Sequence, residues 1–143
     1  MRLKITRTSP SVPLPAYGSA RAAGFDLAAA DDHEIPAGQI SLIGTGLVIE
    51  VPDGHFLAVI ARSSTPLRRG LIVANAVGVI DPDYCGPVDE VTIQVLNITT
   101  DTVRVQRGDR IAQGLVLAAP RIEWDEVTEV SAASRGGFGS TGQ

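Results

Sequence analysis

At 143 residues and a formal net charge of −4, the chain is long enough for one domain with a real core. It is too acidic for a general binder of nucleic acid or of an anionic membrane, because affinity for a phosphate backbone needs a basic footprint. Hydrophobic residues make up 44% and charged residues 20%, an ordinary globular balance, but 15 Gly and 9 Pro cut the chain into short pieces with no amphipathic run of helical length. A mainly β architecture is therefore expected. The single cysteine, Cys85, excludes an intrachain disulfide and fits a reducing compartment. Residues after Met1 lack an apolar leader core and no stretch approaches membrane-spanning length, so a cytoplasmic protein without a membrane partner is expected.

Leu3 and Ile5 alternate with Lys4 and Thr6 as a short strand does. Residues 9–18 carry Pro10, Pro13 and Pro15 and read as an extended loop. In residues 21–30, R-A-A-G-F-D-L-A-A-A, Gly24 and the prolines before it favour a buried strand over a helix. Asp26 in that setting is costly unless paired or hydrated, and a strand-end aspartate bonded to backbone is an equally good reading. Residues 42–51, the turn at Pro52 to Gly54, and residues 56–61 read as strand, turn, strand.

The second of these strands runs into A-R-S-S-T-P-L-R-R-G. Here Ser63 or Ser64 can cap one helical turn that starts near Pro66, with Arg62, Arg68 and Arg69 around it. Hydroxyls, free N–H groups and guanidinium forks together suit a phosphate, and a solvated basic loop has the same composition.

Residues 73–86, V-A-N-A-V-G-V-I-D-P-D-Y-C-G, read as a hairpin leading to a stiff corner. Pro82 fixes its own φ and pushes Asp81 towards extended geometry, so Asp81 and Asp83 are held at defined angles with Tyr84 beside them. Such a corner can aim an acid or base at a ligand, and it is also what ordinary turns are made of. Residues 89–106 predict a second hairpin, with Val91, Ile93 and Val95 on one arm, a polar corner at 99–101, and Val103 and Val105 on the other. R-G-D at 107–109 is a turn. Residues 110–119 form a buried strand carrying Arg110 and Gln113, and Ile122 with Trp124 a short edge. The last ten residues, S-R-G-G-F-G-S-T-G-Q, combine mobile glycines with one ring, one arginine and two hydroxyls. These are the parts of a lid that orders on binding, and equally the composition of a free terminus.

Taken together, A-G-F-D-L, R-S-S, N-A-V-G-V-I-D-P-D-Y-C-G, G-D-R-I-A-Q-G and G-G-F-G-S-T-G follow one another in an order and at spacings that resemble the five motifs of the homotrimeric dUTP pyrophosphatases. The resemblance implies an all-β distorted jelly roll over residues 1–133, a C-terminal lid over 134–143, and a homotrimer with active sites shared between subunits. It implies hydrolysis of dUTP to dUMP and pyrophosphate, with Mg²⁺ held mainly by the triphosphate.

By the same resemblance Asp81 orients and activates the attacking water, and Tyr84 packs under the deoxyribose. Asn75 begins the backbone that pairs with the uracil edge, and Val79 belongs to the same substrate-binding stretch. Arg62, Ser63, Ser64 and Gln113 bind phosphate, and Asp26 supports the metal's water shell. Phe138 stacks on uracil with Gly139 beside it, Ser140 and Thr141 bond the γ-phosphate, and Arg135 approaches it. The chain departs from the family pattern in three places. Ala133 stands where the family's closing arginine usually falls, so that Arg135 is three residues before Phe138. The stretch 85–97 is a few residues longer than in many members, and Ser64 replaces a common Gly.

Two other functions fit parts of this pattern. dCTP deaminases share the fold and an R-S-S motif, and Arg62, Ser63, Ser64, Arg68 and Gly70 partly match it. Their general acid and base is a glutamate three residues before an Asn, and counting back from Asn97 gives Gln94, whose amide cannot transfer that proton. A catalytically silent nucleotide-binding protein is the third reading, with Asp81 and Tyr84 against it and Ala133 for it. His33, His55 and Cys85 lie apart, which disfavours a zinc hydrolase.

Overall fold

The computed structural model describes residues 1–130 together with 133, 134 and 136. Short β-branched runs between glycines and prolines become strands in chain order: β1 (Lys4–Arg7), β2 (Phe25–Ala28), β3 (His33–Ile35), β4 (Ile40–Gly44), β5 (Leu47–Glu50) and β6 (His55–Ala61). The one described helix, α1 (Thr65–Arg69), follows, and then β7 (Leu71–Val73), β8 (Gly78–Ile80), β9 (Thr92–Asn97), β10 (Val103–Val105) and β11 (Arg110–Ala118). A four-stranded sheet runs β2-β11-β6-β8 and a three-stranded sheet runs β4-β9-β7, with β1-β5 and β10-β3 as separate pairs. Every one of these pairings is antiparallel.

Alternation puts one face of each strand into a shared core. Ile93 and Val95 of β9 are fully buried while Thr92 between β-branched neighbours is exposed. Leu57 and Val59 of β6, Leu27 of β2, Ile43 of β4 and Ile111 of β11 meet them, so both larger sheets contribute to a single apolar cluster.

The expected hairpins differ from what forms. The arms flanking residues 73–78 join different sheets: β7 pairs with β9, and β8 with β6. The arms flanking residues 97–103 also part, β9 to β4 and β7, β10 to β3. The 42–51 run is two strands, broken at Thr45 and at Gly46, whose φ is +69°. A Cβ at Gly46 would lie 2.5 Å from Val12 Cγ2, so close packing as well as backbone conformation demands glycine there. Beyond that corner β5 pairs with β1, while β6 pairs with β11 and β8. The turns were read correctly and the partners were not, because in a jelly roll consecutive strands cross between sheets to bury their apolar faces. Ile122 and Trp124 form no edge: β11 ends opposite His55, the first residue of β6, which leaves them no ladder, and both side chains are exposed.

Asn97 ties down the corner after β9. It is fully buried, its Nδ2 donates to the carbonyls of Ile35 (2.8 Å) and Asp101 (2.7 Å), and its Oδ1 accepts from the N–H and hydroxyl of Thr99 (2.8 Å each). Asn97→Ala would strand the buried Ile35 carbonyl and free the exposed Thr99–Asp101 corner, so a loss of about 1–3 kcal/mol is expected, read as a lower urea midpoint.

Candidate active site

β2 places Asp26 directly opposite Gln113 of β11. The Asp26 carboxylate, only 17% exposed, is gripped by Arg62 Nε at 2.7 Å and by Arg110 Nη1 at 3.0 Å. Two guanidinium partners resolve the cost of setting a carboxylate in this apolar strand and leave the group with a net positive charge. Arg62 also donates to the Arg110 carbonyl (3.4 Å), and Gln113 Nε2 donates to the Ala61 carbonyl (3.1 Å), which leaves the amide oxygen free to accept. Gly24 lies against that oxygen, where a Cβ would come within 2.8 Å. The glycine of A-G-F-D-L thus makes room for the glutamine of A-Q-G.

α1 begins at Thr65, whose buried hydroxyl donates to the Ile111 carbonyl at 2.9 Å and fastens the R-S-S turn to β11. Ser64 occupies the N-cap position, yet its φ of −88° and ψ of −14° are helical and its hydroxyl makes no capping bond, contrary to the expected cap. Ser63 is exposed beside it. The expected arginine cluster is also rearranged. Arg69 turns away to Asp109 (2.7 Å), and this bond, countered in part by desolvation, holds the Asp109 carboxyl below its usual range. Arg110 takes its place beside Arg62. From sequence Arg110 stands out only as a polar residue of the strand; its position three before Gln113 in G-D-R-I-A-Q-G is the available signal.

The second group surrounds the acidic corner. Tyr84 N–H bonds the Asp81 carbonyl at 3.1 Å, closing a β-turn with Pro82 at its second position. Val79 and Asp81, two residues apart on one face, line an open cleft of about 1030 Å³ with Pro82, Asp83, Phe56 and Arg121. Tyr84 is partly exposed, and its hydroxyl donates to the Glu90 carbonyl at 3.1 Å. Upstream, Asn75 is exposed at a tight reversal in which Ala76 adopts φ of +60°, a left-handed conformation that costs an alanine about 1 kcal/mol.

The two groups do not meet within one chain. Gln113 faces Ile60 near the end of β6, whereas Ile80 faces Leu57 near its start, which sets Asp81 beside Phe56. The six residue steps from Phe56 to Arg62 put about 20 Å between the acidic corner and the arginine cluster, at the strand rise of ~3.3 Å per residue. Arg135, Phe138, Gly139, Ser140 and Thr141 lie outside the described residues. Among the described residues no group of three or more His, Cys, Asp or Glu side chains is close enough to ligate a metal. None of the described helices is long and apolar enough to cross a membrane.

The class of protein follows from the fold: an antiparallel β jelly roll of the dUTPase type. A family model described as dUTPase matches residues 11–142, and the chain belongs to that family. It is 39% identical to the deoxyuridine 5′-triphosphate nucleotidohydrolase of Anaplasma marginale (strain St. Maries), over 99% of each chain. It is 41% identical to the protein of the same name from Solibacter usitatus (strain Ellin6076), over 100% of this chain and 97% of that one. The crystal structure of a dUTPase from Streptococcus mutans superposes with a TM-score of 0.78 at 35% identity, covering 85% of this chain and 98% of the other. A Staphylococcus bacteriophage 80alpha dUTPase bound to dUPNHPP superposes at 0.88 over 99% and 98%; at 21% identity it speaks for the fold alone.

Proposed function

We propose that the chain hydrolyses dUTP to dUMP and pyrophosphate, and that it does so as a homotrimer whose sites are shared between subunits. The observation that carries this reading is the separation of the acidic corner from the Arg62–Asp26–Arg110 group. One nucleotide cannot use both across about 20 Å of one chain, but the acidic corner of one copy set against the arginine cluster of another completes a site.

At such a junction Asp81 holds a water in line with the α-phosphorus and takes its proton. The water oxygen bonds to phosphorus as the bond to the bridging α,β-oxygen breaks and pyrophosphate leaves with that electron pair. Arg62, Ser63, Ser64 and the second amide N–H of Gln113 face the phosphates, while the Gln113 amide oxygen accepts from their water. Tyr84 lies under the deoxyribose, and the backbone at Asn75 and Val79 reads the uracil edge. Mg²⁺ would offset the charge of the triphosphate. The donor set fits an ion held chiefly by substrate, since both oxygens of Asp26 are engaged by arginines and Asp26 would reach such an ion only through its water shell.

The segment from residue 134 onward acts as the lid: Phe138 stacks on the base, Gly139 lets the backbone approach, Ser140 and Thr141 bond the γ-phosphate, and Arg135 supplies positive charge. Truncation after Ala133 is expected to lower kcat/KM for dUTP roughly a hundredfold while assembly, read by size-exclusion chromatography with light scattering, stays intact. Unchanged turnover would remove the lid. The activity suits a cytoplasmic enzyme that limits uracil incorporation into DNA and supplies dUMP for thymidylate synthesis.

Chromatographic product analysis with dUTP, dCTP, UTP and dTTP, with and without Mg²⁺, tests the proposal. Formation of dUMP from dUTP alone supports it. Deamination of dCTP would move the reading to a deaminase despite Gln94, and no turnover at all would leave a silent binding protein.

A further inference from the structure

We propose that Glu90 is a positioning residue for Tyr84, through which the loop at residues 86–90 sets discrimination against ribonucleotides. This rests on the dUTP reading above. The stretch after the acidic corner is stitched on both sides. Gly86 N–H donates to the Asp89 carboxylate at 2.7 Å and Glu90 N–H to the Val88 carbonyl at 2.9 Å, which folds the loop on itself. The Glu90 carboxylate then accepts a short hydrogen bond from Gly46 N–H at the corner between β4 and β5. Val91, the next residue, is locked to that same corner: its carbonyl accepts from the Thr45 hydroxyl at 2.6 Å, and its N–H donates to the Leu47 carbonyl at 2.8 Å.

The corner is shaped to receive the carboxylate. A Cβ on Gly44 would stand 2.5 Å from Glu90 Oε1, so residue 44 must lack one for the side chain to lie where it does. Gly44 shows no left-handed φ, and space rather than backbone conformation accounts for this glycine. The outcome of these bonds is a Glu90 carbonyl at a defined position, and that carbonyl is what holds the Tyr84 hydroxyl at 3.1 Å.

A ring lying under the deoxyribose, as proposed for Tyr84, would exclude a 2′-hydroxyl sterically, and steric exclusion is only as strict as the ring is immobile. Loosening the anchor lets the ring yield to a ribose while leaving the deoxyribose contact little changed. The effect therefore falls on the ratio of kcat/KM for dUTP to that for UTP rather than on dUTP turnover.

The test compares Glu90→Ala, Glu90→Gln and Gly44→Ala with the parent chain on both nucleotides, with fluorine NMR of fluorotyrosine-labelled protein as a readout independent of activity. Glu90→Ala and Gly44→Ala are expected to lower the dUTP/UTP ratio about tenfold and to shift and broaden the Tyr84 resonance. Glu90→Gln keeps an oxygen for Gly46 N–H and is expected to retain the parental ratio within about twofold and the parental resonance. An equal fall in kcat/KM for both nucleotides in Glu90→Ala, or an unmoved Tyr84 resonance in that variant, would overturn the proposal. If the parent hydrolyses no dUTP, the functional reading fails by itself, and the resonance still decides whether Glu90 anchors Tyr84.

Discussion

Replacing Asp81 by Asn is expected to lower kcat for dUTP roughly a hundred- to ten-thousandfold, the span associated with loss of a general base. The substitution preserves shape. Asparagine tolerates the extended geometry that Pro82 imposes on its neighbour, and the turn is closed by the backbone bond from Tyr84 N–H to the residue 81 carbonyl, which the change does not touch. What is lost is a group able to accept the water's proton. Affinity for a non-hydrolysable dUTP analogue, measured by calorimetry, is expected to stay within a few-fold of the parent, because the amide adds no bulk and the phosphate contacts lie elsewhere. A variant that released dUMP at the parental rate would show that another group activates the water.

Mixing two inactive chains should restore activity. Arg62→Ala removes one of the two cations on Asp26 and spoils the phosphate side of a site, while Asp81→Asn spoils its catalytic side. If each site takes Asp81 from one subunit and Arg62 from another, co-refolded variants in equal amounts form some interfaces where an intact corner meets an intact cluster. Random assortment makes this about a quarter of all sites, so about a quarter of parental activity is expected from components that each have almost none. Product analysis on the mixture, with each variant alone as control, decides it. No recovery from a mixture shown by mass labelling to have exchanged subunits would place both groups in one subunit's site and sink the shared-site proposal. Arg62→Ala also leaves Asp26 with Arg110 alone, so its melting temperature should be checked before mixing.

Much of the local structure was legible. Alternation located Ile93 and Val95 on the buried face of β9, and the turn residues at Pro52 to Gly54 and at 107–109 bend as their types require. The demand that Asp26 find partners could be stated from its apolar surroundings, and the corner at Asp81 to Tyr84 from Pro82. The partners were not legible: Arg62 and Arg110 are 36 and 84 residues from Asp26 in the chain, and only the β2-β11-β6 ladder brings them together. Arg69 was misassigned for the same reason, since its choice of Asp109 depends on where β11 starts. The anchoring of Tyr84 by Glu90, and of Glu90 by Gly46, joins segments that no periodicity connects.

By itself, then, the sequence determined which residues are strands and turns, which side chains need burial or a partner, and which stiff corner carries the acids. These are properties of neighbouring residues, set by φ and ψ preferences and by the two-residue period of a strand. Only the tertiary structure decided that the arms of each apparent hairpin belong to different sheets, that Arg110 and not Arg69 stands beside Asp26, and that the two halves of the candidate site lie at opposite ends of β6. The physical reason is that pairing partners are chosen by how several apolar faces can be buried at once, a requirement of the whole core that no single stretch encodes.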